Sequence, residues 1–173
     1  MKTVRELLQA YPYMFGGKNI GLTLYRGWHP TFAKLCEDID QHLGQDKRDF
    51  HWEQLKEKFG AARWYGWWAL REGERRDIQL SVQTTQGLKR ISPEIENEPI
   101  QALINAAQDA TAFQCVVCGE PARIAMHKRF GYQCLCKKHA NVIFGGGQLP
   151  KYWFEVGHDD PEGPWEDHAH ERT

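Results

Sequence analysis

Four of the five cysteines in this chain fall between Cys115 and Cys136, and a histidine follows three positions after the last of them. The first pair is Cys115-Val116-Val117-Cys118, followed by Gly119, and the second half closes with Cys136-Lys137-Lys138-His139. A C-x-x-C turn folds two sulfurs toward one point, and Zn²⁺ takes four thiolate or imidazole ligands in a tetrahedron. Gly119 suits that turn, because glycine reaches left-handed backbone conformations without a Cβ penalty. The spacing therefore predicts one zinc ion held by Cys115, Cys118, Cys136 and His139, a thiolate-rich set that favours zinc over harder divalent ions. Four protein ligands leave no position for a substrate, so the ion is structural. Cys134 alternates with Cys136 along an extended segment, so the two side chains point to opposite faces. Cys136 is assigned to the metal and Cys134 is left as a free thiol. A disulfide framework fits less well, since nothing N-terminal reads as secretory. A redox C-x-x-C would open a helix after a strand and need no second ligand pair.

The elements that must position these ligands can be read around them. Arg123–Arg129 and Tyr132–Leu135 flank Phe130-Gly131 as strand, turn and strand, and Ala140–Phe144 continues as a short helix that Gly145-Gly146-Gly147 stops. Knuckle, hairpin and a helix carrying the last ligands in its first turn make a treble-clef-like zinc finger over residues 111–151. An α+β body occupies residues 1–110, and an acidic C-terminal arm occupies 152–173. Charge is divided the same way. The finger carries Arg123, Lys128, Arg129, Lys137, Lys138 and Lys151 against Glu120 alone, and the arm carries seven acidic residues against Arg172 alone. Arg123, Lys128, Arg129, Lys137 and Lys138 are thus candidate contacts to nucleic acid or to a partner, with His127 beside Lys128 and Arg129 the best-placed cationic patch. Tyr152-Trp153-Phe154 could anchor the acidic arm across Lys128-Arg129 and Lys137-Lys138, masking them from phosphates.

The body mixes two apolar periods. Thr3-Val4-Arg5-Glu6 before Leu7-Leu8 has the form of a capping box. Ile20, Leu22 and Leu24 alternate, predicting a strand that ends near Gly27-Trp28. Pro30 suits a helix start, with Phe32, Leu35, Cys36, Ile39 and Leu43 at helical spacing and Gly44 as the stop; Cys36 is then a core thiol. His51–Tyr65 fits two readings. Trp52, Leu55 and Phe59 have helical spacing, and the Glu, Gln, Leu and Lys content favours helix. Leu55, Glu57 and Phe59 also fit one face of a strand that turns at Gly60. Lys56, Glu57, Lys58 and Arg63 on such a hairpin predict cross-strand ion pairs. Trp52, Trp64, Trp67 and Trp68 are mostly core packing, with room for a stacking surface among them. Asp77–Thr84 alternates cleanly as a strand with one wet face. Asn97-Glu98-Pro99 starts a helix bearing Ile100, Leu103, Ile104 and Ala107. The fold class is α+β: a small antiparallel sheet including Asp77–Thr84, packed by helices Phe32–Leu43 and Glu98–Ala110, with the finger at the C-terminal side.

With 173 residues, 41% of them hydrophobic, and a net charge of −1, the chain suits one domain with a small zinc appendage. No run approaches the ~18 apolar residues of a membrane span, and no signal peptide is visible, so a cytosolic protein is expected. No Gly-rich phosphate loop, G-x-S-x-G or H-E-x-x-H occurs, which predicts a binding protein and not an enzyme.

Gly27-Trp28, the helix with Leu35-Cys36, Lys56-Glu57-Lys58-Phe59-Gly60 with Arg63 and Tyr65, and the Cys-x-x-Cys-Gly … Cys-x-x-His-Ala ending together resemble a set of small, largely uncharacterised bacteriophage and prophage proteins. The resemblance covers residues 27–65 and 95–140. It implies a strand before Gly60, and hence a hairpin, and it implies Cys115, Cys118, Cys136 and His139 as ligands with Cys134 outside. The chain departs from it at Ala61-Ala62, in a longer 66–92 stretch and in the acidic arm. The expected function is a zinc-stabilised phage accessory or anti-defence adaptor that binds a host or phage protein in the bacterial cytosol. The alternative is a nucleic-acid binder that uses the basic finger.

Overall fold

The computed structural model describes residues 2–45, 47, 50–68, 81–84, 87–90, 98–128 and 130–153. Thr3 opens helix α1 (Val4–Ala10) through the expected capping box: its hydroxyl accepts from the Glu6 N–H at 3.2 Å, and the Glu6 carboxylate accepts from the Thr3 N–H at 2.8 Å. Helix α2 (Pro12–Phe15), strand β1 (Thr23–Tyr25) and a 3₁₀ turn (Arg26–Trp28) lead into α3 (His29–Leu43), which has Pro30 in its first turn and Gly44 at its end. Strands β2 (Phe50–Lys58), β3 (Ala61–Trp68), β4 (Ser81–Thr84) and β5 (Gly87–Arg90) precede α4 (Glu98–Thr111). The finger follows as β6 (Arg123–His127), β7 (Gly131–Leu135) and α5 (Lys137–Phe144), and β8 (Lys151–Trp153) comes last. The fold is α+β, as read. Its strands form four antiparallel pairs, β1–β8, β2–β3, β4–β5 and β6–β7, among the described residues.

The β2–β3 hairpin is the central platform, and here burial overrides helix propensity. Paired as strands, Trp52, Leu55, Ala62 and Trp64 are all buried, and Phe32 of α3 sits 5.1 Å from Trp52 and 5.0 Å from Trp64, centroid to centroid. Both outer edges of the pair are capped. On the β2 side the Leu55 N–H donates to the Gly21 carbonyl and the Ile20 N–H to the Glu53 carbonyl, both at 2.9 Å. On the β3 side α4 supplies side chains: Thr111 Oγ1 accepts from the Ala62 N–H at 2.9 Å and Gln108 Oε1 from the Trp64 N–H at 2.8 Å. An open sheet edge is thereby satisfied without another strand.

Two elements differ from expectation, and a third is described only in part. The strand expected from Ile20 to Trp28 contracts to Thr23–Tyr25, because Gly27-Trp28 turn to meet the finger. Tyr152-Trp153 belong to β8, which pairs with β1 in the register Leu24↔Tyr152; Phe154 and the acidic arm lie outside the described residues. Of the Asp77–Thr84 strand, Ser81–Thr84 form β4 and the remainder lies outside the described residues. Cys115, Val116, Cys134, Leu135 and Ile143 of the finger belong to the same buried cluster as Trp28, Phe32 and Trp64 of the body. No helix among the described residues is long and apolar enough to cross a membrane.

Candidate metal centre

The knuckle is built by two backbone bonds: the Gly119 N–H donates to the Cys115 carbonyl and the Cys115 N–H to the Glu120 carbonyl, both at 2.8 Å. Gly119 has φ 78°, the left-handed value expected of it. The β6–β7 hairpin then returns the chain so that Cys136 caps α5 and His139 lies in that helix's first turn. The last two ligands thus fall at the cap and in the first turn of that helix, as expected. The three sulfurs of Cys115, Cys118 and Cys136 and a ring nitrogen of His139 lie within 4.8 Å of one another and could hold a metal ion. Cys118 Sγ is 4.0 Å from Cys136 Sγ, and His139 Nδ1 is 3.3 Å from Cys136 Sγ and 3.6 Å from Cys115 Sγ. A tetrahedral ion with ~2.3 Å bonds to sulfur and ~2.0 Å to nitrogen needs edges of about 3.8 and 3.5 Å. The separations fit.

The protons of this cluster are distributed unevenly. Burial works against ionising Cys136, but the N–H groups of His139 and Lys138 and the neighbouring thiols bond to its sulfur and leave its pKa lowered. Cys118 is pushed up to about 12, by desolvation first and then by the adjacent Cys115 and Cys136 sulfurs. A bound cation would draw the thiol protons off. Cys134 lies outside the set. It is buried, its thiol donates to the Ala112 carbonyl at 3.3 Å, and burial raises it to about 11.

The knuckle is seated on the body by two glycines far apart in the chain. The Gly27 N–H donates to the Val116 carbonyl at 2.9 Å, and the Trp28 indole N–H reaches the Gln114 carbonyl at 3.2 Å. A Cβ on Gly27 would lie 2.0 Å from the Cys115 carbonyl oxygen, and one on Gly119 would lie 2.8 Å from the Gly27 oxygen. Sequence reasoning gave Gly27 the end of a strand and a place in the resemblance, but no contact with the knuckle. A Gly-Trp pair where a strand stops was the available sign that another backbone passes there.

No family model, curated protein or solved structure matches the chain.

Arg123, Lys128, Lys137 and Lys138 are exposed, and Arg129 lies outside the described residues. His127 is not part of a cationic surface: it is 8% exposed and its ring lies 4.9 Å from that of Phe144 on α5. It shares a face of β6 with Arg123 and Ala125, opposite that of Met126.

Beside the finger, the β2–β3 turn is unusual. Phe59 (φ 57°) and Gly60 (φ 83°) are both left-handed, the requirement of a tight two-residue hairpin turn that asparagine and glycine normally meet. Glu57 Oε1 accepts from the Gly60 N–H at 2.6 Å, and a Cβ on Gly60 would lie 2.9 Å from Ile124 of β6. Phe59 is 62% exposed and meets Tyr132 edge to face at 6.3 Å. Met126 pairs with Tyr132 across β6–β7 and shares its face with Ile124, so Phe59, Tyr132, Met126 and Ile124 form an exposed apolar ridge. The expected cross-strand ion pairs are not found among the described residues. The register sets Lys56 opposite Arg63 and Glu57 opposite Ala62, because Glu57 falls on the other face of the strand.

Proposed function

We propose that this protein is a zinc-stabilised adaptor whose ridge of Phe59, Tyr132, Met126 and Ile124 receives a partner protein. The observation that carries this is Phe59, a bulky residue in a left-handed conformation with its ring in water. Such backbone strain costs on the order of 1–3 kcal/mol and gathers at functional positions. Contiguous exposed apolar side chains, methionine among them, mark contact surfaces. Lys58, whose Nζ lies 5.2 Å from the Phe59 ring centroid, borders the ridge and is exposed, so the partner should present apolar side chains with an acidic rim.

Zinc is the ion this reading assigns to the centre. Three thiolates with Zn²⁺ leave a net charge of about −1, which the neighbouring Lys137 and Lys138 offset. Filling all four positions with protein ligands makes the ion a brace that holds β6–β7 against the hairpin tip, a binding role and not a catalytic one. The resemblance to phage and prophage proteins supports an accessory or anti-defence role in a bacterial cytosol, with a host or phage protein as partner. A nucleic-acid role for the finger is the second reading, favoured by Arg123, Lys128, Lys137 and Lys138, for which no ion pair is found among the described residues.

Phe59→Asn tests the adaptor. Asparagine tolerates the turn, so the variant should fold at least as well and keep its metal. In affinity capture from nuclease-treated host extract it should lose the proteins that the native chain retains. Equal capture by the two chains would remove the ridge from the function.

A further inference from the structure

The solvent face of the β2–β3 hairpin carries a second, chemically different surface. Along β3 the outward positions are Ala61, Arg63, Tyr65 and Trp67, and the register sets Lys58, Lys56, Gln54 and His51 opposite them. The inward positions Leu55, Ala62 and Trp64 are buried, which fixes which face is which. A register shift between Trp52 and Gln54 keeps Trp52 buried while leaving His51 opposite Trp67. The outward face thus holds three cations and three rings, with no carboxylate in register among them. Glu57 is on the other face and engaged with the turn, and Glu53 is the residue skipped by the register.

Lys56 and Arg63 are directly opposed. Like charges facing each other across a ladder are destabilising, and neither has an ion pair among the described residues. Lys56 Nζ lies 5.1 Å from the centroid of the Tyr65 ring and bonds Gln54, and the Arg63 guanidinium donates to the Ala62 carbonyl at 2.7 Å. An anion set between them would turn one repulsion into two attractions. The rings say which anion. Tyr65 is 45% exposed, and the half-buried Trp67 and His51 rings lie 4.7 Å apart at 34°. Alternate strand positions are about 7 Å apart, so cations and rings succeed one another along a strip of roughly 14 Å from Arg63 to Trp67. An acidic peptide would use the cations and leave the rings idle, and a duplex keeps its base faces inside. A single strand offers phosphates and open base faces together.

We propose that the outer face of the β2–β3 hairpin binds a single strand of nucleic acid, with phosphates against Lys56, Lys58 and Arg63 and bases on Tyr65 and on Trp67, which is backed by the His51 ring that the Lys18 carbonyl holds at 3.1 Å. The site adjoins the apolar ridge at Lys58, whose Nζ lies 5.2 Å from the Phe59 ring centroid, but it uses the other residues of the hairpin face and does not depend on the adaptor reading.

Anisotropy of a labelled short oligothymidylate with the full zinc-loaded chain, across a salt series, tests it. Three phosphate contacts predict a log–log salt slope near about −2. Lys56→Gln or Arg63→Gln should flatten the slope by about 0.7 without lowering the urea midpoint, since each removes a repulsion. Tyr65→Ala should weaken binding about tenfold with the slope unchanged. Phe59→Asn should bind as the native chain does, so failure of the ridge and failure of this face are told apart. No binding at low salt overturns the proposal. So does loss of binding in Lys137→Gln/Lys138→Gln with Lys56→Gln and Arg63→Gln unaffected, which would place the site on the finger. Competition by polyglutamate as effective as by oligothymidylate, with Tyr65→Ala silent, also overturns it and assigns the face to an acidic protein.

Discussion

Cys134 and Cys136 stand two positions apart, yet one bonds a backbone carbonyl inside the core and the other faces His139 at 3.3 Å. The division was legible because it needs only local facts: the ligand spacing, and the alternation of a strand. Metal analysis should therefore find one zinc per chain in the native protein and in Cys134→Ser, and none in Cys115→Ser, whose finger should lose its fold because structural zinc contributes on the order of 10 kcal/mol. Zinc loss in Cys134→Ser would mean that the wrong sulfur was assigned. Gly27 is the opposite case. Its role depends on Cys115 and Gly119, which local spacing cannot bring to it, and a Cβ there has no room beside the Cys115 carbonyl. Gly27→Ala should lower the urea midpoint and speed zinc loss to a chelator, although position 27 is no ligand. Unchanged zinc retention would show that the knuckle does not need this seat.

At the scale of elements, the helices α3 and α4 could be read from apolar period and caps, since both lie on one core and carry their signals locally. Phe50–Lys58 could not be settled that way. Its composition favours helix, and only the burial of Trp52, Leu55 and Trp64 on one face makes the hairpin the better arrangement. The β1–β8 pair was hidden for another reason: its strands are three residues each and come from opposite ends of the described chain. The hairpin's edge also depends on a tertiary partner. Thr111 is fully buried, and its hydroxyl accepts from the Ala62 N–H and donates to the Gln108 carbonyl at 2.6 Å. Thr111→Val keeps the shape and orphans that buried N–H, so a loss of about 1–3 kcal/mol is expected from urea unfolding. A neutral result would mean that water reaches the β3 edge.

Across the whole molecule, burial has fixed the protonation of groups far from the metal centre. Burial, then the bond its hydroxyl donates to Asp40 at 2.9 Å, raises the pKa of Tyr13; burial, then Glu57, pushes Tyr25 up to about 12; and burial raises the Cys36 thiol. Unfolded, these groups ionise near about 8.5 for cysteine and 10 for tyrosine. The folded values lie above the unfolded ones, so the stabilisation is complete below about pH 8.5 and is lost as pH rises through the alkaline range. Urea midpoints of the zinc-loaded chain should fall between pH 8 and pH 11, and less steeply in Tyr13→Phe, which also forfeits the Asp40 bond at neutral pH. A flat profile would contradict the burial of these side chains.

The largest consequence of scale concerns what zinc holds together. The sequence suggested a body with a zinc appendage, in which removing the ion would undo residues 111–151 alone. In the structure Cys115, Val116, Cys134, Leu135 and Ile143 lie in one buried cluster with Trp28, Phe32 and Trp64, and the knuckle's carbonyls accept from Gly27 and Trp28 of the body. Releasing the ion frees a knuckle against which α3 and its preceding turn are packed, so the loss should spread to the tryptophans. Chelation should therefore shift tryptophan fluorescence and far-ultraviolet circular dichroism together, in a single urea transition at a lower midpoint, by at least a few kcal/mol given the ~10 kcal/mol scale of structural zinc. Two separate transitions, with the tryptophan signal keeping its zinc-loaded midpoint, would mean that the body stands without its finger.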